Sequence, residues 1–328
     1  MTAVSSQIDD ELLSLAWSLW AELGVSSVVR AHGNCCADPE ALLIFTAALA
    51  DADPRLRDES LDCALALSPY LWTSRLKTLL SRTDDEVRHT FGEYAATFNQ
   101  SSTSHVTLPL ADETRALSLI RSGKSRPQAQ AHAPSQLLMR CRAIFGVGAR
   151  ADALCTMIFS RQQGWLATDL ATHVGLPKRA MAAVLHDFAV GGLVIATSVG
   201  NRLRYDFVGR DGLDLVLGAK PNWKPVWAVI LPFLLRMRAI VVARDARGPT
   251  SSLVDAHKVI RSFLAASSTL GIHADAPDTR SWEDVIQWLV RTVSAIANGE
   301  SVWFGESRGL ARDSMTKPGT ARTGLVAP

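Results

Sequence analysis

The stretch WLATDLATHVGLPKRAMAAVLHDFAVGGLVIATSVGNRLRYDF, residues 165–207, decides the fold. Leu170, Ala171 and Val174 recur at the spacing of a helix burying one face, with Leu166 as a lead-in anchor and Thr168 placed to cap. Gly175 supplies the turn between two crossing helices. Pro177 then stands where a helix start tolerates proline, followed by Lys178, Arg179, Ala180 and Met181 in the first turn. Val184, Leu185 and Phe188 lie on the inward face of that helix, and Gly191-Gly192 ends it. Two strand-like runs, Leu193–Thr197 and Leu203–Phe207, flank Ser198–Arg202, whose Gly200-Asn201 pair suits a tight turn. Upstream, Leu154, Met157 and Ile158 mark one more helix over Ala151–Ser160.

Helix, helix, turn, helix, strand, turn, strand is the order of a winged helix-turn-helix, predicted here over residues 149–210. In such a unit the early residues of the second motif helix enter the major groove of duplex DNA. Thr168, Pro177, Lys178, Arg179 and Met181 are therefore candidate DNA contacts. Arg202 at the hairpin tip and Arg204 on the second strand are candidates for backbone phosphate or the minor groove. Three features together resemble the winged-helix regulators of the MarR and ArsR type. They are Ala167–Ala171 with Gly175-Leu176-Pro177, Leu185–Phe188 with Gly191-Gly192-Leu193-Val194, and Gly200-Asn201-Arg202 before Tyr205. The likeness covers less than a fifth of the chain. It implies double-stranded DNA as partner, contacted by the helix that begins at Pro177, and a homodimer as a common arrangement.

Charge is segregated along the chain. Residues 1–114 carry seven Lys/Arg against seventeen Asp/Glu, whereas residues 115–210 carry thirteen against four. Between Thr114 and Arg150 stand seven basic residues and no acid, in a segment punctuated by Ser, Gly and Pro. Residues 99–148 therefore read as a basic linker with one short helix near Glu113–Arg121. Arg140, Arg142 and Arg150 are placed as an arm that neutralises phosphate beside the reading head. The same segregation supports an alternative: a non-catalytic interaction subunit or antitoxin, whose acidic N-terminal domain (residues 1–98) binds a partner protein.

Both flanks read as helical, so the expected fold is mainly α, a central winged helix-turn-helix between two helical domains. Asp38-Pro39-Glu40 and Asp53-Pro54 are helix starts, Ser68-Pro69 repeats the pattern, and Gly24 closes the first helix. In the C-terminal domain (residues 211–305), Trp223–Val242, Leu253–Ser267 and Trp282–Ala297 read as helices, the last capped by Ser281. Residues 306–328 lack apolar periodicity and read as a disordered tail.

Several function classes lack their signatures. The chain has no GxxxxGK[ST] loop, HExxH helix, GxSxG elbow or dinucleotide glycine fingerprint, so neither enzyme nor cofactor chemistry is expected. Asp58-Glu59 and Asp84-Asp85 read as helix-start or solvated-face charges. His32 with Cys35 and Cys36 invites a metal reading, but adjacent cysteines chelate one ion only with strain and a second ligand pair is missing. Five cysteines without a CxxC pair fit reduced thiols, and the N-terminus meets Asp9, Asp10 and Glu11 before any basic residue; both point to the cytoplasm. Val226–Leu235 is too short an apolar run to span a bilayer, so no membrane role is expected.

Overall fold

The computed structural model describes residues 3–110, 114–119, 121, 123–124, 132–159, 164–208, 210–270, 277 and 280–300. Among them lie thirteen α-helices and one two-stranded antiparallel sheet, a mainly α fold. The tail at residues 306–328 falls outside the described residues.

α2 (Pro39–Ala47) is buried along its whole length, as a helix that is apolar on every side must be. α1 (Ala3–Leu23), α3 (Pro54–Leu67), α4 (Thr73–Leu80) and α5 (Asp85–Ser101) pack around it or around one another. The caps are local and form as expected. Asp38 accepts the Ala41 N–H at 3.2 Å, and Asp53 accepts the Leu56 N–H at 3.0 Å. Ser68-Pro69 differs: it makes a single 3-10 turn, Ser68–Tyr70, and α4 begins only after Trp72. Asp58 and Glu59 also differ from expectation, since both are buried on α3, with Asp58 paired to Arg57 at 2.8 Å.

Several described residues of the segment expected as a linker are built into the fold. Leu108 is buried, its N–H and C=O both held by the Asn99 side chain at 2.7 and 3.0 Å. Residues 114–119 are not helical; the Leu117 N–H is bonded to the Thr97 hydroxyl instead. α6 (Leu137–Phe145) buries Leu137, Leu138, Met139, Cys141 and Arg142. Its apolar face needs a partner, and it packs on α7 (Ala149–Phe159).

α7 is followed by α8 (Ala167–Val174), α9 (Lys178–Val190), β1 (Val194–Val199) and β2 (Arg202–Phe207), then α10 (Arg210–Leu217). Three long helices close the chain: α11 (Trp227–Arg247), α12 (Pro249–Thr269) and α13 (Trp282–Ala297). They do not form a separate unit. α13 lies along α1, and α11 lies on both α1 and α2, so residues from Ile8 to Ala297 share one hydrophobic core. Each large apolar side chain buried there contributes about 1.5–3 kcal/mol.

Polar clasps hold the two ends together. Cys36 N–H donates to Trp223 C=O at 2.8 Å and Trp223 N–H to Asn34 C=O at 3.0 Å. His32 stands 2.9 Å from the Ile296 carbonyl through Nε2 and 2.8 Å from the Ser18 hydroxyl through Nδ1. A carbonyl can only accept, so Nε2 carries the proton and Nδ1 accepts from Ser18. Both ring nitrogens are thus used within the fold. Among the described residues, no helix is long and apolar enough to cross a membrane.

Candidate nucleic-acid interface

Within residues 149–159 and 164–208 the expected order of three helices and a hairpin forms, with differences at Thr168, Pro177 and Met181. Gly175 ends α8 in the left-handed conformation (φ 79°) and lets the chain cross to α9. Pro177 is the N-cap of α9, one position outside the helix, and makes no side-chain cap bond. Thr168 does not cap α8; the N-cap position is Leu166, and the Thr168 hydroxyl donates to Asp169 at 3.3 Å. β1 and β2 pair from Val194↔Phe207 to Val199↔Arg202, so the turn is the two residues Gly200 (φ 59°) and Asn201. Trp165 adds a single bridge to Tyr205, with N–H···O=C bonds of 3.0 Å in both directions, tying the entry of α8 to the hairpin.

This frame separates the predicted contacts into three groups. Thr168, Pro177, Lys178 and Arg179 are exposed, the last two in a first turn of α9 that holds no acid. Arg202 and Arg204 are exposed on one face of the hairpin, opposite Val199 and Thr197, and Arg204 lies along Gly164. Met181 is the first exception: it is wholly buried, because its place one turn into α9 turns it toward the α7–α8 side. His186 and Ala183 share an exposed stripe with Arg179. The three-and-four spacing of α9 could have added His186 to the predicted set.

The three arginines predicted as a basic arm are all engaged within the fold, and one of them is buried. Arg142 is fully buried, and its guanidinium N–H groups are spent on Glu40 (2.6 and 2.9 Å), Asp152 (2.8 and 2.7 Å) and the Tyr70 carbonyl (2.9 Å). Arg140 donates to the carbonyls of Leu217 (3.1 Å), Ala133 (2.6 Å) and Ala219, which fastens α6 to the end of α10. Arg150 is exposed but paired with Asp187 of α9 at 2.5 Å. An arginine in a basic run reads as solvated; these three instead meet acids and carbonyls contributed by distant segments.

Arg142 belongs to a buried ion cluster that sequence reasoning missed. Arg75 of α4 pairs with Asp38 at 2.6 Å and Glu40 at 2.8 Å, and both arginines converge on Glu40. Burial pushes the Asp38 carboxyl upward, but the Arg75 guanidinium and the Ala41 N–H outweigh it and hold the group at about 2. Charges so buried persist only when paired and hydrogen-bonded. The local signal was charge in an otherwise apolar helix: Glu40 alone in PEALLIFTA, and Arg142 beside Arg140 in LLMRCRAIF. Arg75 also donates from Nε to the Val174 carbonyl at 2.7 Å, so the cluster grips the end of α8.

His173 of α8 faces Trp165 edge-on with ring centroids 5.0 Å apart and meets the Asp169 carbonyl at 2.9 Å. Burial lowers its pKa, an effect partly offset by that carbonyl. No family model, curated protein or solved structure matches the chain, so residues and geometry alone carry its functional reading.

Proposed function

We propose that residues 149–208 are a winged helix-turn-helix that binds double-stranded DNA, and that the chain is a transcriptional regulator. The observation that carries this reading is the start of α9. Its N-terminus has no side-chain cap, and its first turn holds Lys178 and Arg179 with no acid. Cations at the positive end of a helix dipole are unfavourable by themselves, and an anion there removes the conflict. Phosphate is such an anion, and α9 is the helix that would enter the major groove. Arg202 and Arg204 supply two more exposed cations on the hairpin, at the place where a wing meets backbone or minor groove.

Titration of the full chain with mixed duplex DNA across a salt series tests this. Four phosphate contacts give a slope of log K against log salt of about −3.6. Lys178→Ala/Arg179→Ala and Arg202→Ala/Arg204→Ala are each expected to weaken binding and to make that slope shallower by about 2. Binding that ignores both salt and the four substitutions overturns the reading.

A second reading has its own support. The hairpin exposes Ile195 (57%), Val199 (49%) and Leu203 (51%), apolar surface that phosphate contact does not require. On that reading the segment docks a protein, a second copy included. Ile195→Ser/Val199→Ser would then abolish association while the charge substitutions left it intact.

A further inference from the structure

A half-open cavity of about 210 Å³ lies among α2, α4, α11 and α12. Its floor is aromatic: Phe233 of α11 and Phe263 of α12 stack with centroids 4.0 Å apart and planes at 18°, beside Phe45 of α2. Pro232 interrupts α11 at the cavity wall. Lacking an N–H, it withdraws the helical bond that the Ala228 carbonyl would accept, and proline bends helices there. The rim is polar and cationic, with Arg82, Arg236 and Ser262. Arg82 is exposed, and Arg236 reaches Asp84 only at 3.6 Å while donating to the Arg82 carbonyl at 3.1 Å.

An apolar floor under two guanidinium groups suits a ligand with an apolar body and one anionic head, because arginine recognises carboxylates and the floor gains from covering by carbon. A cavity of about 150 Å³ admits benzene. The larger volume here fits a body of about eight carbons that extends toward the arginines.

Two wall residues connect this cavity to the α8–α9 turn. Leu79 and Ala228 line the cavity, and the same two side chains lie against Gly175, at 3.1 and 3.7 Å from where a Cβ would stand. Arg75, one turn before Leu79 on α4, holds the Val174 carbonyl. We infer that the cavity is a regulatory site for a small amphiphilic carboxylate, and that α4 and the start of α11 transmit its occupancy to the Gly175 turn. Its effect on DNA rests on the reading of residues 149–208 given above; carboxylate binding and the response of the turn do not.

Octanoate is the probe, with octanol as its uncharged counterpart, titrated calorimetrically into the full chain. One octanoate per chain is expected, bound about ten-fold more tightly than octanol, the difference made by one charge-assisted contact. Arg82→Ala/Arg236→Ala removes the anionic preference. Ser262→Trp, a change at an exposed rim position, is expected to block entry. Hydrogen exchange at residues 174–181 is expected to change on octanoate addition in the wild type and not in Ser262→Trp. Absence of saturable binding, octanol binding as well as octanoate, or binding untouched by Ser262→Trp overturns the site. Binding without a change in exchange at residues 174–181 overturns the coupling. Should the chain ignore DNA altogether, the DNA reading fails while the calorimetric and exchange results still decide this one.

Discussion

Arg142 shows how far a single residue's role depends on who meets it. All five of its guanidinium N–H groups have acceptors, four of them carboxylate oxygens of Glu40 and Asp152. Removing it leaves two acids in the core with one cation fewer, and breaking such a pair costs roughly 3–5 kcal/mol. Arg142→Ala is therefore expected to lower the urea midpoint strongly. Arg142→Lys recovers little, since an ammonium offers three donors without the planar fork. A midpoint equal to wild type would show that the cluster does not hold α6 to α2. Sequence reasoning placed Arg142 on DNA because neighbouring cations were its only visible context. Glu40, which neutralises it, stands 102 positions away.

At the scale of elements, the α8–α9 turn and the hairpin turn use the same device in different surroundings. Gly175 and Gly200 both have positive φ (79° and 59°). A Cβ at Gly200 would meet nothing within 4 Å, whereas one at Gly175 would press on the Leu79 side chain at 3.1 Å. Gly200→Ala should thus cost only the left-handed conformation, about 1 kcal/mol. Gly175→Ala should cost more, about 2 kcal/mol, by adding crowding against α4. Equal losses in paired denaturation curves would mean that α4 does not support the turn. These elements were legible because their signals are local. Asp38, Asp53 and Ser281 cap within three residues, and Val184, Leu185 and Phe188 mark the buried face of α9, which Met181 joins against expectation. α6 was not legible as an element, because short basic runs next to serines and prolines resemble linkers until a core covers their apolar side.

For the whole molecule, the charge segregation along the chain becomes an internal match. Acids of the first hundred residues pair with bases from further on: Glu40 with Arg142, Asp62 with Arg121, Asp9 with Arg238. Part of the acidity that suggested a basic partner, and of the basicity that suggested an arm on DNA, is satisfied within the fold. The junction of the two ends carries a pH dependence. Burial lowers the His32 pKa to about 4, against the weaker upward pull of the Ile296 carbonyl. Its folded value lies below the unfolded value of about 6.5, so the neutral ring stabilises the fold fully above that pH. The contribution, roughly 3 kcal/mol, is lost as pH falls from about 6.5 to about 4. Unfolding free energies measured across that window should fall in the wild type and stay flatter in His32→Gln. Parallel profiles would remove His32 from the account.

The sequence by itself determined α1–α3, α7–α9 and α11–α13, the caps at Asp38, Asp53 and Ser281, and the hairpin that turns at Gly200-Asn201. Those features depend on hydrogen bonds and apolar spacing within a few neighbouring residues, which the chain carries wherever it lies. Only the tertiary structure decided that the two ends share a core, that Arg142 is buried and Arg140 is spent on backbone carbonyls, and that Leu79 of α4 touches both an apolar cavity and the Gly175 turn. Each of these depends on which distant segment removes a group from water, and burial of that kind has no local signature.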